Sequence, residues 1–344
     1  MKTYHLLSLE RGYSRMHSAL RVWSLVVVLL LLQSRGSAQP FQLSNEPGGE
    51  ARESPTPGDT TGMPLTSQLA EKKMLFAKDN LYAWCIVPYD SVHRTPEQRA
   101  VMLKEIGITS MAWDWRAVHL PILKEEIATL AHHAIALRSV WFWVDGGSGK
   151  IIDDANESIL RTLAETNTHT ELWVSFPGEY FAGLPDSQKT QKAVKTIRFI
   201  YERARAIGCT IALYNHGDWF GEPANQVKVI EALGARDIGL IYNFHHAHQQ
   251  IDQFEDLLRI MKPYLRSVNL NGMRKEGPKI LPIGEGDREL EMLTKLRASG
   301  ITCSLGILGH VEDADARVVL QRNLEGLKKL LKAMGETEAL RTYH

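Results

Sequence analysis

The residues best suited to chemistry lie in the stretch 209–223, Cys-Thr-Ile-Ala-Leu-Tyr-Asn-His-Gly-Asp-Trp-Phe-Gly-Glu-Pro. It opens as an apolar, β-branched run with strand character and breaks at Asn215-His216-Gly217-Asp218 into an amide, an imidazole and a carboxylate, with Trp219 next. An imidazole titrates near neutrality and suits a general base, and Asp218, two residues on, suits a partner that orients it or shares its proton. Asn215 offers a hydrogen-bond donor to a substrate oxygen, and Trp219 offers a face for sugar C–H groups. The plainer alternative is an ordinary capped turn with a satisfied histidine.

Polar and aromatic residues recur after other apolar runs. Trp113-Asp114-Trp115-Arg116, Trp141-Phe142-Trp143-Val144-Asp145, Pro177-Gly178-Glu179-Tyr180, Asn243-Phe244-His245-His246-Ala247-His248, Asn269-Leu270-Asn271 and Leu308-Gly309-His310 all have this character. From these the expected catalytic set is His216, His246, Asp218 and Glu179. The expected substrate contacts are Trp113, Trp143, Asn215, Trp219, Asn243, His248, Asn271 and His310. A histidine base, a second acid and amide donors suit proton abstraction next to a carbonyl, in isomerisation, epimerisation or elimination. For the tryptophans the alternative is packing between strand and helix. Arg274 and Lys275 read as solvated loop charges, not a phosphate site, so the expected ligand is an unphosphorylated, small-molecule carbohydrate.

The elements that must position these residues alternate. Beyond Asn80, short apolar runs at 81–87, 108–113, 136–144, 170–176, 210–215, 238–244, 267–271 and 301–306 are separated by amphipathic stretches. Examples are 96–106, capped by Thr95 with Pro96 in first position, and 186–207, which ends before Gly208. Near-continuous apolar strands alternating with helices predict an α/β fold, a single-domain (β/α)8 TIM barrel over 80–335 with function at the carboxyl ends of its strands. An open doubly wound sheet is the alternative.

Residues 22–32 form an uncharged apolar run after Arg11, Arg15 and Arg21, and Gly36-Ser37-Ala38 follows. Eleven residues fall short of the roughly 20 that span a bilayer. The region 1–38 therefore predicts a signal peptide cleaved after Ala38, with Met16 as a second candidate start, and an exported product; the alternative is an uncleaved membrane anchor. Residues 39–79 are rich in Pro, Gly, Ser and Thr and predict a disordered linker. Lys plus Arg and Asp plus Glu are both 40, which argues against a nucleic-acid partner or an anionic membrane surface. Cys85, Cys209 and Cys303 sit in apolar runs and read as packing residues.

Taken together, these motifs resemble the xylose isomerase-like barrels of the sugar phosphate isomerase/epimerase superfamily over roughly 80–331. The resemblance is carried by Leu213 to Pro223, Tyr242 to His248, Asn269-Leu270-Asn271-Gly272-Met273 and Ile283-Gly284-Glu285-Gly286-Asp287. It implies sugar isomerase or epimerase activity. It also implies a divalent ion held by Glu, Asp, His and Glu on strands 5 to 8. This chain departs there: the matching positions fall near Ala212 to Tyr214, Asn243, Asn269 or Asn271, and Gly306-Ile307. Neutral amides are poor replacements for carboxylates around a hard ion, so the expected site works without that metal and any cofactor stays open. If a metal is held at all, the expected ligands are His216, His246, His310 and Glu179. Loss of the family carboxylates leaves a catalytically degenerate carbohydrate-binding barrel as an alternative, and a lyase or hydratase acting on oxidised sugars as another. Oligomeric state is left open by the sequence.

Overall fold

Eight short parallel strands close on themselves, in the order in which the chain makes them. They are β1 (Leu81–Trp84), β2 (Ser110–Trp113), β3 (Ala136–Trp143), β4 (Glu171–Ser175), β5 (Thr210–Tyr214), β6 (Gly239–Asn243), β7 (Leu265–Leu270) and β8 (Ser304–Leu308). Closure is made by β1 on β8, with Leu81 opposite Leu305 and Trp84 opposite Leu308. The computed structural model describes residues 74–147 and 149–343. The expected signal peptide, and the linker up to residue 73, lie outside the described residues.

Helices return the chain from one strand to the next, and several are started by local chemistry. The helix α1 (Pro96–Glu105) begins with the expected Thr95 cap in a full capping box with Gln98 and with Pro96 in its first turn. After α2 (Leu123–His132), Asp153 caps α3 (Asp154–Glu165) by accepting from Asn156 N at 2.8 Å. The long α4 (Asp186–Ala206) and the short α5 (Asp218–Gly221) and α6 (Pro223–Leu233) flank β5. The remaining helices are α7 (Phe254–Met261), α8 (Glu289–Ala298), α9 (Ala316–Ala333) and α10 (Thr337–Leu340). Among the described residues no helix is long and apolar enough to cross a membrane.

Side chains on successive strand residues point to opposite faces of the sheet, and this divides the core in two. Ala83, Trp113, Val140, Phe142, Val174, Leu213, Tyr242, Val268 and Ile307 pack outward under the helices. Tyr82, Trp84, Ala112, Trp173, Ala212, Tyr214, Ile241 and Leu308 form a second cluster inside the barrel.

Most strand boundaries shift by one to three residues from those expected, and the larger shifts have local causes. Strand β1 stops at Trp84 because Cys85 takes a left-handed backbone with φ 58°. Strand β8 starts three residues late and runs to Leu308, because Gly300 at φ 67° ends the preceding helix and the next residues climb back to the sheet. Residues 74–79, expected in the linker, belong to the folded unit. Phe76 and Ala77 are buried, and Asn80 Nδ2 ties this segment to the Cys303 carbonyl at 2.8 Å. At the other end Tyr343 donates to the Phe76 carbonyl at 2.9 Å, so the folded unit also runs past residue 335.

Trp173 is the centre of the interior cluster, with its ring 4.8 Å from Trp84, 5.8 Å from Tyr82 and 5.8 Å from Tyr214. Trp173→Ala is expected to lower unfolding free energy by about 3–5 kcal/mol, the range for deleting a large buried aromatic. Urea unfolding followed by circular dichroism measures it, and a loss under about 1 kcal/mol would show that the interior is not packed around this ring.

Candidate active site

At the carboxyl ends of the strands lies a cavity of about 120 Å³, lined by Trp84, Cys85, Tyr89, Asp114, Arg116, Trp141, Tyr214, His216, His245, His246 and His310. Trp84 and Tyr214 come from the interior cluster, with Trp84 Nε1 donating to the Tyr214 hydroxyl at 3.3 Å. The walls form a circuit of ring contacts. Trp143 meets His216 edge to face at 5.0 Å, His216 meets His246 at 4.5 Å, His246 meets His245 at 3.7 Å, and His245 meets His310 at 5.7 Å. His310 stacks on Tyr89 at 3.6 Å, and Arg116 lies over Tyr89 at 5.1 Å and Trp141 at 5.8 Å. Trp141 touches Trp143 at 5.2 Å, which closes the circuit.

His216 is held by the turn after β5. Gly217 sits at φ 83°, where a Cβ would come 2.7 Å from the Phe176 carbonyl oxygen, so the turn requires glycine. The same carbonyl lies 3.0 Å from His216 Nδ1. A carbonyl only accepts, so Nδ1 carries the proton and Nε2 is left with its lone pair. His245 is set in the same way: its Nδ1 donates to Asn243 Oδ1 at 2.9 Å. Asn243 in turn donates its Nδ2 to the Tyr214 hydroxyl.

Burial is the first cause of each electrostatic shift here. It holds His216 below the usual imidazole range and His245 and His246 well below it, and it lowers His310 to about 4. The nearby Lys279 ammonium and the neighbouring imidazoles push the same way. At neutral pH these four rings are therefore uncharged acceptors and donors. Burial acts oppositely on the Asp114 carboxyl, which is raised to about 7, and on the Tyr89 hydroxyl, raised to about 12.

The structure gathers His216, His246 and His310 in one cavity, with Trp143 against His216. It separates the rest. Trp113 is fully buried on the outer face of β2, because Ala112 takes the inward position. Glu179 and Asp218 are exposed and line a different depression, together with Trp219. Asp218 is thus not hydrogen-bonded to the His216 imidazole; the Phe176 carbonyl does that work. Asn215 is committed to the backbone of Asn243, accepting its N–H at 2.7 Å and donating to its carbonyl at 3.1 Å. Asn243 is committed as above. Asn271 donates to the Gly272 and Lys279 carbonyls and faces an apolar groove beside α9. His248 bonds the His245 carbonyl at 3.3 Å. The expected set omits Asp114, Arg116, Tyr89 and Trp141, which reach the cavity from the loop after β1, the loop after β2 and the carboxyl-terminal part of β3. Counting inward positions along β2 from Ala112 would have selected Asp114 over Trp113.

The residues at the family's metal positions do not fit a carboxylate-bound ion. Tyr214 and Asn243 hold each other, Asn269 accepts from the Tyr82 hydroxyl, and a Cβ on Gly306 would meet the Tyr82 ring at 2.7 Å. Nor are the histidine ligands gathered with Glu179. Among the described residues no group of three or more His, Cys, Asp or Glu side chains is arranged to hold a metal ion. A larger hollow, about 840 Å³, opens at the amino ends of the strands. Its charged side chains are already engaged: Arg138 donates to Ser304, Trp173 Nε1 donates to Glu171 at 2.9 Å, and Arg266 donates to the Asp237 carbonyl at 3.3 Å. The smaller cavity is therefore the better candidate for chemistry.

The depressed His310 makes a test of this electrostatic picture. Its neighbours are Arg116, Lys279, Tyr89, His245 and, at 3.8 Å, Glu312. With a folded pKa of about 4 against roughly 6.5 unfolded, acidification through that window protonates the unfolded chain first and lowers stability. His310→Gln removes that uptake, so it should lose less stability than wild type between pH 6.5 and 4, by on the order of 2 kcal/mol. Urea unfolding at both pH values reads the difference, and equal losses would show an ordinary solvated imidazole.

No protein-family profile and no curated protein sequence matches this chain. Several solved structures match it in fold. An L-ribulose 3-epimerase superposes with a TM-score of 0.58 at 13% identity, covering 76% of this chain and 97% of that one. The E. coli 3-keto-D-glucoside 4-epimerase YcjR gives 0.55 at 14%, covering 74% and 100%. A probable 3-DHS dehydratase, AsbF from Bacillus anthracis, gives 0.52 at 15%, covering 72% and 98%. Such low identities speak to architecture alone: the chain is folded as a (β/α)8 barrel, the fold of these structures.

Proposed function

We propose that the chain is a carbohydrate-active barrel of the isomerase/epimerase type, moving a proton next to the carbonyl of an unphosphorylated sugar. The observation that carries this reading is His216. Its Nδ1–H is spent on the Phe176 carbonyl, which leaves Nε2 as an uncharged proton acceptor in a cavity shared with the Arg116 guanidinium. Arg116 donates to the Tyr89 hydroxyl and to the Trp115 carbonyl at 2.8 Å, so it is held in place. It can stabilise an enolate oxygen there, because a cation already held in place by two hydrogen bonds acts with little reorganisation. Indole and imidazole faces around the cavity suit the C–H surface of a sugar ring.

A cavity of about 120 Å³ is small beside the roughly 300–1,000 Å³ of common ligand pockets, so it takes the reacting end of a small sugar and not an oligosaccharide. Two solved neighbours are named as epimerases of keto sugars, which supports the substrate class. Another is named as a dehydratase, which keeps elimination on an oxidised sugar as the second chemistry. The aromatic filling of the barrel interior favours one further reading, a barrel that binds a sugar without turning it over.

Incubation in D₂O with a panel of aldoses, ketoses, keto-glycosides and uronates separates these readings. The wild type should wash deuterium into at least one sugar, and His216→Gln should lower that rate by about 10²-fold or more while binding persists. Binding without exchange would leave the carbohydrate-binding barrel. We also propose export, on the strength of residues 22–38. The mature product should begin near Gln39 outside the cytoplasm, and intact chain in the membrane fraction would show an anchor instead.

A further inference from the structure

One buried carboxyl in the cavity has no part in the chemistry above. Asp114 follows β2, continues the inward alternation of Ala112, and is 2% exposed. Its Oδ1 takes a long bond from Val87 N at 3.4 Å, its own backbone N–H and the Cys85 thiol also interact with the carboxyl, and its Oδ2 is buried without a close hydrogen-bond partner. The Cys85 thiol lies beside it, and Arg116, two residues on, directs its own bonds to Tyr89 and Trp115. An unsatisfied buried carboxylate oxygen costs free energy that an apolar residue would avoid. Asp114 lines the same cavity as His216 and His246. Strand β2 lies opposite β6 in the closed barrel, so Asp114 and His246 enter the cavity from opposite sides of its mouth.

We propose that Asp114 is the general acid of this pocket, protonating the substrate's carbonyl oxygen while His216 removes the proton from the adjacent carbon. The inference rests on the function proposed above. In the step, the C–H bond breaks and its proton goes to His216 Nε2. The C–H electron pair becomes the carbon–carbon double bond of an enediol, and the carbonyl π pair takes the proton of the Asp114 carboxyl. Imidazolium and carboxylate remain, and the reverse transfers return them to imidazole and acid. The family resemblance assigns a divalent ion to these barrels, and a neutral carboxylic acid does comparable work on the oxygen without one. Burial supports the assignment by keeping the acid form populated up to about pH 7, against the opposing charges of Arg116 and Arg99.

The test is the pH dependence of solvent-deuterium exchange in wild type and Asp114→Asn, an isosteric variant whose folding is checked by its melting temperature. The wild-type rate should fall as pH rises through about 7, since the acid is then spent. The Cys85 thiol and the Tyr89 hydroxyl are raised by burial and do not titrate in that range. Asp114→Asn should lower the rate by about 10²-fold and lose that alkaline limb. A wild type that exchanges, with Asp114→Asn retaining its rate to within about threefold or keeping the limb, overturns the role of Asp114 and leaves the function standing. A wild type that exchanges into no sugar overturns both. Should the variant fail to fold, infrared titration of the wild type decides: a protonated carboxyl band near neutral pH that shifts on sugar binding supports the acid, and its absence overturns it.

Discussion

The interior of the barrel is filled by four aromatic rings, Tyr82, Trp84, Trp173 and Tyr214, and the site depends on that filling. Trp84, Trp173 and Tyr214 meet at 4.8 to 5.9 Å inside the sheet, with the Tyr214 hydroxyl bonded by both Trp84 and Asn243. Edge-to-face and offset ring contacts of this kind add to the burial of large apolar surfaces. The rings take volume that a barrel with an open interior would give to an ion and its ligands. They raise the floor of the cavity toward the strand ends, which leaves a shallow space beneath a rim of imidazoles.

That geometry sets the electrostatics. A cavity walled by indoles and phenols solvates charge poorly, so the same burial drives imidazoles toward the neutral form and a carboxyl toward its acid. Two kinds of titratable group that would both be charged near pH 5 in water are brought into their uncharged, proton-exchanging forms near neutrality. Arg116 is the fixed cation among the groups lining the cavity. A pocket with neutral bases, a neutral acid and one guanidinium suits proton movement around a carbonyl better than it suits holding a metal.

The architecture is shared with epimerases and a dehydratase, whereas the strand ends here carry neutral residues such as Asn243 and Gly306 where the family resemblance places ionisable ligands. The barrel is indifferent to this exchange, because strand closure and helix packing rest on outward residues such as Leu213, Val174 and Ile307. Inward positions at the carboxyl ends are free to change chemistry without disturbing that outer layer.

The alternation of apolar runs with amphipathic stretches was enough to determine the eight-fold unit, the Thr95 and Pro96 helix start, the buried cysteines and the end of the barrel that carries the polar groups. Periodicity and capping are local properties, and the sequence holds them in full. It also named His216, His246 and His310, since a histidine just past a strand is legible as such. What it left undecided was which neighbours those rings would meet. Whether Trp113 or Asp114 faces the cavity depends on the phase of a two-residue alternation, and one residue of slip exchanges core for pocket. Whether Asp218 or the Phe176 carbonyl orients His216 depends on how the β5 turn packs against the end of β4, a contact between residues 40 positions apart. The protonation states followed only from burial, which no single stretch of chain possesses before the barrel closes.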